Sequence, residues 1–295
     1  MTYPPTRWPA PLLRLIASLW NDGVNTARPV TQITVPDIAA PNVDIALSPK
    51  GTGAISADVP DGTAAGGNKR GTNAVDWQTS RTATTQVASG ISSVICGGSN
   101  NTSSGSGSFN GGGDNNSASA NNSFNGAGSN NSVSGVNSFI GAGSYNSTTN
   151  AYSTVCGGYA NTATADNSAI VGGSYGNTRN IVGYHVFPAC SAPIANLWGV
   201  SQAGLLILGR QTTDATPTAL ASNGSAAGTG NQLTVSTANS AISFSGEVIA
   251  AVTGGGDTAR WTIAGAIKRG ATVASVALVG TPTVTMTHYD AGAAA

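Results

Sequence analysis

Hydrophobic and polar positions repeat every fifteen residues through the middle third of the chain. Short apolar runs, such as Val94-Ile95 and Phe139-Ile140, alternate with stretches of glycine, serine and asparagine. These runs are too short for a helix and rich in strand formers, so each unit predicts one short strand. A fixed period of this kind is typical of solenoids, in which each unit stacks on the next. Six consecutive units are marked by Ser93, Ser108, Ser123, Ser138, Ser153 and Ser168.

Two further columns of the repeat predict the corners of each coil. One column is glycine, at Gly98, Gly113, Gly128, Gly143, Gly158 and Gly173. Glycine permits a positive φ or a close backbone approach at a bend. The other column is asparagine followed by serine or threonine, at Asn101, Asn116, Asn131, Asn146 and Asn161. Asparagine tolerates the left-handed region and forms Asx turns, so this column predicts the second corner.

Stacking places like side chains above one another at about 4.8 Å per rung, so six rungs rise about 29 Å. We expect Phe109, Phe124 and Phe139 to form an aromatic ladder. Cys96 and Cys156 share a column four rungs apart, about 19 Å, so a disulfide between them is excluded.

A single coil of this length has a thin core, and solenoid repeats cannot bury an apolar face alone. We therefore expect the chain to associate with copies of itself. Small residues at the corners favour a close approach of three chains, although the spacing alone also fits a dimer.

Three segments outside the repeat predict further elements. Residues 8–22 place Leu12, Ile16, Leu19 and Trp20 on one face of a short amphipathic helix, which either caps an oligomer or docks into another protein. Residues 44–59 alternate around a Pro-Lys-Gly hairpin signature and predict a β cap. Residues after 208 form short strand-like runs between turn residues, as in a β-sandwich or jelly roll.

The predicted fold is all-β, with a parallel β-roll, a short N-terminal helix and a C-terminal antiparallel sandwich-like domain. Its regions are an N-terminal arm (1–35), a β cap (36–80), the roll (81–180), a neck (181–207) and the C-terminal domain (208–295).

Composition narrows the class of function. Only 8% of residues are charged, whereas an ordinary globular chain has roughly 25%. Twelve Lys and Arg balance twelve Asp and Glu, so the chain lacks the basic surface that nucleic-acid binding needs. Arg14 and two prolines interrupt the apolar N-terminus, so we expect no export signal. Residues 181–209 lack Asp, Glu, Lys and Arg but contain two prolines and several polar residues, so we expect no membrane span.

One hydrolase-like motif occurs. Ser174 lies in a G-x-S-x-G sequence, and Asp214 or Asp257 followed by His288 would complete the chain order of a catalytic triad. That motif requires a strand-to-helix elbow, whereas Ser174 already belongs to a serine column of the repeat. We expect this match to be structural.

Polysaccharide cleavage is the stronger enzymatic alternative, and it would need two carboxylates about 5–10 Å apart. Asp114 and Asp166 are the acids of the regular repeats, and they lie in different columns more than three rungs apart. We therefore expect no enzyme, no cofactor and no metal site, although carboxylates from neighbouring subunits could still meet.

Two resemblances add to this interpretation. Residues 137–147, N-S-F-I-G-A-G-S-Y-N-S, resemble the head repeats of trimeric autotransporter adhesins, which implies a left-handed trimeric β-roll. Residues 44–54, 66–71, 75–81, 211–220 and 254–271 resemble, in this order, segments of phage tail-fibre and related virion proteins. The second resemblance implies a structural or host-contacting role and transfers no catalytic residue.

Together these observations predict a homotrimeric fibre or spike on the exterior of a phage particle. Its expected partners are its own copies, a tail, baseplate or capsid adaptor bound through Leu12, Ile16, Leu19 and Trp20, and a glycan or protein of the host surface. A capsid-bound head fibre or decoration protein and a polysaccharide-degrading tailspike enzyme are the alternatives. A bacterial surface adhesin is less favoured.

Overall fold

The computed structural model describes residue 47 and residues 49–189, 201–214, 216–235, 238–252 and 256–290, together with two short strands near the N-terminus. In chain order the strands are β1 (Leu19–Trp20), β2 (Val30–Thr31), β3 (Ile55–Ser56), β4 (Val75–Asp76), β5 (Val94–Ile95), β6 (Thr102–Ser103), β7 (Phe109–Asn110), β8 (Ser117–Ala118), β9 (Phe124–Asn125), β10 (Ser132–Val133), β11 (Phe139–Ile140), β12 (Ser147–Thr148), β13 (Thr154–Val155), β14 (Thr162–Ala163), β15 (Ala169–Ile170), β16 (His185–Pro188), β17 (Gln202–Leu205), β18 (Ser240–Ala251), β19 (Thr258–Arg269), β20 (Ala277–Leu278) and β21 (Thr283–Tyr289). A short 3-10 helix spans Val273–Ser275, and the described residues contain no α-helix.

The chain divides into two compact units, residues 1–48 and 49–295. In the first unit, β1 pairs antiparallel with β2. Because Leu19 and Trp20 are in a strand, the predicted helix is wrong at these two positions. These two residues pair with β2, which begins ten residues after Trp20, so strand pairing takes the place of the helical turn there. Leu12 and Ile16 lie outside the described residues.

The second unit begins as a parallel β-solenoid, which confirms the predicted all-β repeat fold. The first solenoid sheet contains β3, β4, β5, β7, β9, β11, β13, β15 and β16 in parallel, with β17 added antiparallel. The second solenoid sheet contains β6, β8, β10, β12 and β14. Phe109 pairs with Phe124 and Ser117 pairs with Ser132, so each coil is fifteen residues long.

The solenoid ladder extends beyond the six regular units at both ends. β3 pairs in parallel with β4, so the turn at Pro49-Lys50-Gly51 leads into the ladder rather than into a hairpin. At the other end β16 pairs in parallel with β15, and its residues therefore continue the stack.

The core of each coil is closed within the chain. Within most solenoid strands the first residue faces outward and the second is buried, as the alternation of a strand requires. The buried positions of the first sheet are Asp76, Ile95, Asn110, Asn125, Ile140, Val155, Ile170 and Val186. Those facing them from the second sheet and its continuation are Ser103, Ala118, Val133, Thr148, Ala163 and Thr178. The coil therefore fills its own interior, and the surface left to other chains is the outward one.

The C-terminal part forms one antiparallel sheet, in which β19 lies between β18 and both β20 and β21. Register places apolar side chains of β18, β19 and β21 on the same face, because Val248, Trp261 and Met286 are direct neighbours, as are Ile263 and Val284. The described residues supply no second layer, so the sandwich stays a prediction.

Candidate interaction surfaces

The asparagine column is buried and links the rungs. The Asn131 backbone N–H donates to Asn116 Oδ1 (3.0 Å), and Asn131 Oδ1 accepts from the backbone N–H of Asn146 (3.0 Å). Its Nδ2 donates to the carbonyl oxygens of Ala127 and Gly143, both at 2.9 Å. Each side-chain amide of this column thus forms hydrogen bonds within its own coil and to the next coil.

The left-handed corner of each coil lies one residue before the asparagine column in which it was predicted. Asn130 has φ 56°, whereas Asn131 is not among the residues with positive φ. The corner column is Asn100, Asn115, Asn130, Tyr145, Ala160 and Tyr175. The prediction placed the turn one residue late, because both neighbours are asparagine in three of the units and the sequence does not say which one points inward.

The glycine column provides the close approach between rungs. Gly128 has φ +100°, and a Cβ there would lie 2.0 Å from the carbonyl oxygen of Gly143. The other members from Gly98 to Gly158 have the same contact at 2.0 or 2.1 Å, and Gly173 meets Pro188 instead. A side chain is therefore excluded at this corner in every regular rung.

The phenylalanine ladder points out of the coil. Phe109 and Phe124 stack with ring centroids 4.9 Å apart, and Phe124 and Phe139 stack at 5.0 Å. Phe124 is 36% exposed and Phe139 is 37% exposed. A Cβ on Gly126 would lie 3.3 Å from the Phe124 ring, so each ring lies over the glycine two residues later.

The ladder is the centre of a longer apolar stripe on the outward face of the first solenoid sheet. We define the apolar stripe as Trp77, Val94, Cys96, Phe109, Phe124, Phe139, Cys156, Val171 and Phe187. Trp77, Val171 and Phe187 are about half exposed, at 47%, 53% and 50%. From Val75 to Phe187, the outward columns of this sheet contain no Asp, Glu, Lys or Arg.

The outward face of the second solenoid sheet has the opposite character. Its two columns carry only hydroxyl side chains, at Thr102, Ser104, Ser117, Ser119, Ser132, Ser134, Ser147, Thr149, Thr162 and Thr164. Ser119 and Ser134 donate to carbonyl oxygens of the next rung, at 3.3 and 3.1 Å. The solenoid is therefore amphipathic across its two sheets.

Both cysteines of the solenoid lie on the apolar stripe. Cys96 and Cys156 are free and exposed, one on either side of the phenylalanine ladder. The separation predicted from the fifteen-residue period agrees with their unpaired state. Cys190 lies outside the described residues.

A buried cluster of charges lies in the N-terminal coils of the solenoid, around β4. The Arg70 Nε donates to Asp76 Oδ2 (2.8 Å), and Arg81 bridges Asp76 (3.7 Å) and Asp58 (2.8 Å). The side chains of Arg70, Asp76 and Arg81 are at most 1% exposed. We call these four residues the arginine cap.

Gln78 joins the arginine cap to the asparagine column. Its Oε1 accepts from the backbone N–H of Asn101 at 2.6 Å, in the place that an asparagine takes in later rungs. Sequence reasoning missed this cluster. The signal was the concentration of charge in residues 58–81, directly ahead of repeats that carry almost none.

Ser174, His288 and Asp214, the residues of the hydrolase-like motif, each take part in separate local contacts. Ser174 pairs with Tyr159 in a column of parallel bridges, and His288 lies in β21 beside Arg260. Asp214 accepts from the backbone N–H of Thr216 in an exposed turn, which is the main reason its pKa is lowered.

The two acids of the repeats also serve local contacts. Asp114 accepts from Ser99 (2.6 Å) and Asn100 (3.0 Å), and these hydrogen bonds hold its pKa below the usual value. Asp166 accepts from the backbone N–H of Ala151 at 3.1 Å. A cleft beside residues 207–211 and 221–224 is lined without any acid or histidine. Among the described residues, no group of three or more His, Cys, Asp or Glu could hold a metal ion.

No protein-family model, curated protein or solved structure matches the chain. Within the part of the chain that the structure describes, no helix has the length and apolar character of a membrane span.

Proposed function

We propose that this chain is a structural fibre subunit that assembles with copies of itself through the apolar stripe, as a homotrimeric fibre or spike on a phage particle. The observation that carries the proposal is the uncharged stripe itself. It runs along a solenoid whose interior is already filled, so the exposed rings from Trp77 to Phe187 do not serve the core of their own coil. Contiguous exposed apolar surface rimmed by polar residues is typical of an interaction site.

The favoured occupant of the stripe is another copy of the chain. The rings repeat along the solenoid at the spacing of one rung, about 4.8 Å. A partner that fits all of them needs the same repeat in the same register, and a second copy has it. The hydroxyl face of the second sheet would then face water.

The resemblance to autotransporter head repeats implies three chains, and the resemblance to phage fibre proteins implies a structural or host-contacting role. Attachment through Leu12, Ile16, Leu19 and Trp20 belongs to the same proposal. A head fibre or decoration protein would use the same assembly and differ in its place on the particle. The role is mechanical, since a rigid trimer presents three identical surfaces and gains avidity from their effective concentration.

Light scattering on the full chain tests assembly through the stripe. We expect a mass of three times 29.0 kDa. The triple variant Phe109→Thr, Phe124→Thr, Phe139→Thr removes the rings but keeps a residue that the same column already holds at Thr154. It should shift the mass towards one chain. Ser132→Asp on the opposite face is the control and should leave the mass unchanged.

Cys96 and Cys156 test the direction of the chains. In a Cys190→Ala background, a variant that keeps only Cys96 should form an interchain disulfide under mild oxidation if the chains are parallel and in register. The variant that keeps only Cys156 should do the same. Crosslinking only when both cysteines are present would mean antiparallel chains. A monomeric wild-type protein would refute the assembly altogether.

A further inference from the structure

Three tyrosines gather on one narrow edge of the solenoid, between its two sheets. Tyr145 and Tyr159 pack edge to face with ring centroids 5.6 Å apart, and Tyr159 and Tyr175 do so at 5.4 Å. Tyr145 is 55% exposed and Tyr159 is 44% exposed. We call these three residues the tyrosine edge.

The fold does not require aromatic residues there. Tyr145 and Tyr175 have φ 60° and 59°, in the corner column that holds asparagine at Asn115 and Asn130. Asparagine tolerates the left-handed region, whereas a bulky side chain there is an outlier. Because Tyr145 and Tyr159 are exposed and Tyr175 is only half-buried, neither backbone geometry nor core packing explains these rings.

The surroundings of the tyrosine edge are polar and uncharged. Ser129 and Ser144 lie in the Tyr159 column, with their hydroxyl oxygens 3.1 Å apart. The nearest carboxylate of these columns is Asp114, three rungs from Tyr159. Desolvation, and then a hydrogen bond with Tyr159, raises the pKa of Tyr175, so this phenol stays neutral and can both donate and accept hydrogen bonds.

We infer that the tyrosine edge binds a neutral carbohydrate chain. Ring faces contact the C–H faces of sugars, and the phenol and serine hydroxyls match sugar hydroxyls, since tyrosine combines an apolar body with a polar tip. The edge extends over three rungs, about 10 Å, as an open ridge that suits a short stretch of an extended polysaccharide. All three tyrosines belong to one chain, so this inference does not rest on the proposed assembly.

Affinity electrophoresis of the full chain in native gels tests the inference, with dextran, mannan or laminarin in the gel as neutral probes and polygalacturonate as the charged one. The test variant is Tyr145→Asn, Tyr159→Ser, Tyr175→Asn, because each new residue already occupies the same column in another rung. Tyr152→Asn is the matched control, since Tyr152 is 60% exposed with φ 56° in the other corner column.

At least one neutral polysaccharide should retard the wild-type protein and the Tyr152→Asn control. The triple variant should bind it at least about tenfold more weakly. The inference is overturned if none of the neutral probes retards the wild type, if the triple variant binds as well as the wild type, or if only polygalacturonate binds. Light scattering on the same samples reports assembly separately, so loss of the oligomer and loss of the carbohydrate site remain distinguishable.

Discussion

At the scale of single residues, the asparagine column carries the solenoid's connections between rungs. Asn131 has partners for its side-chain oxygen and for both amide hydrogens, in a position that is 1% exposed. Leaving a buried hydrogen-bonding group unsatisfied costs about 1–3 kcal/mol.

Asn131→Ala should therefore lower the free energy of unfolding by about 2–5 kcal/mol, since it orphans the N–H of Asn146 and the carbonyl of Ala127 and removes one of the two hydrogen bonds to the carbonyl of Gly143. Urea denaturation followed by circular dichroism measures the change. Asn130→Gly is the control, because glycine also accepts the left-handed φ of this position. An equal loss in both variants would contradict the role of the buried amide.

A second residue-scale prediction concerns the glycine column. Gly128→Ala places a Cβ 2.0 Å from the carbonyl oxygen of Gly143, at φ +100°. Strain and overpacking together should cost at least about 3 kcal/mol. Gly209→Ala, which meets nothing within 4 Å, should leave thermal unfolding unchanged. A folded Gly128→Ala protein of wild-type stability would mean that the rungs can move apart at this corner.

Single-sequence reasoning reached some of these residues and missed others for physical reasons. The period fixed the register, since a fifteen-residue step defines which side chains stack, and the phenylalanines stack accordingly. The period did not predict which of two neighbouring side chains points into the coil. Phe109 and Asn110 are neighbours, and the buried one is the asparagine, because only an amide can bond inside the coil while the ring stacks outside.

At the scale of elements, the arginine cap explains how a repeat with almost no charge begins. Asp76 takes the inward position that Ile95 takes in the next strand, and two guanidinium groups meet it. These ion pairs fix the path of the chain in the rung of β4, which restricts the register of the coils that follow. Composition alone does not reveal the ion pairs of the arginine cap, because its four residues are spread over residues 58–81 and come together only in the folded chain.

Asp76→Asn should destabilise the protein by about 3–5 kcal/mol, because it leaves two buried arginines without their shared carboxylate. Thermal unfolding of the full chain measures the effect. Glu247→Gln is the matched control, since its pair with Arg260 is about half exposed and should contribute less than about 1 kcal/mol. If both substitutions cost the same, the cap would be no more than a surface ion pair.

At the scale of the whole molecule, two surfaces are left apolar by the described residues: the apolar stripe and one face of the C-terminal sheet. On that sheet Val284 is 65% exposed and Met286 is 44% exposed, and both neighbour apolar residues of β19. A sheet with one apolar face is stable only when another layer covers it. The proposed trimer contains three such faces, and we expect each chain to supply the layer that its neighbours need.

Two adjacent residues of β21 separate this explanation from a general effect of added charge. Val284 faces the apolar side with Ile263, whereas Thr285 faces the other side with Thr262. Val284→Lys should reduce the thermal stability and the fraction of trimer seen by light scattering, because the ammonium group would have to be buried without a partner. Thr285→Lys adds the same charge to the polar side and should change neither. If both variants stay trimeric with wild-type stability, the apolar face is not buried between copies and the stripe alone would have to hold the assembly together.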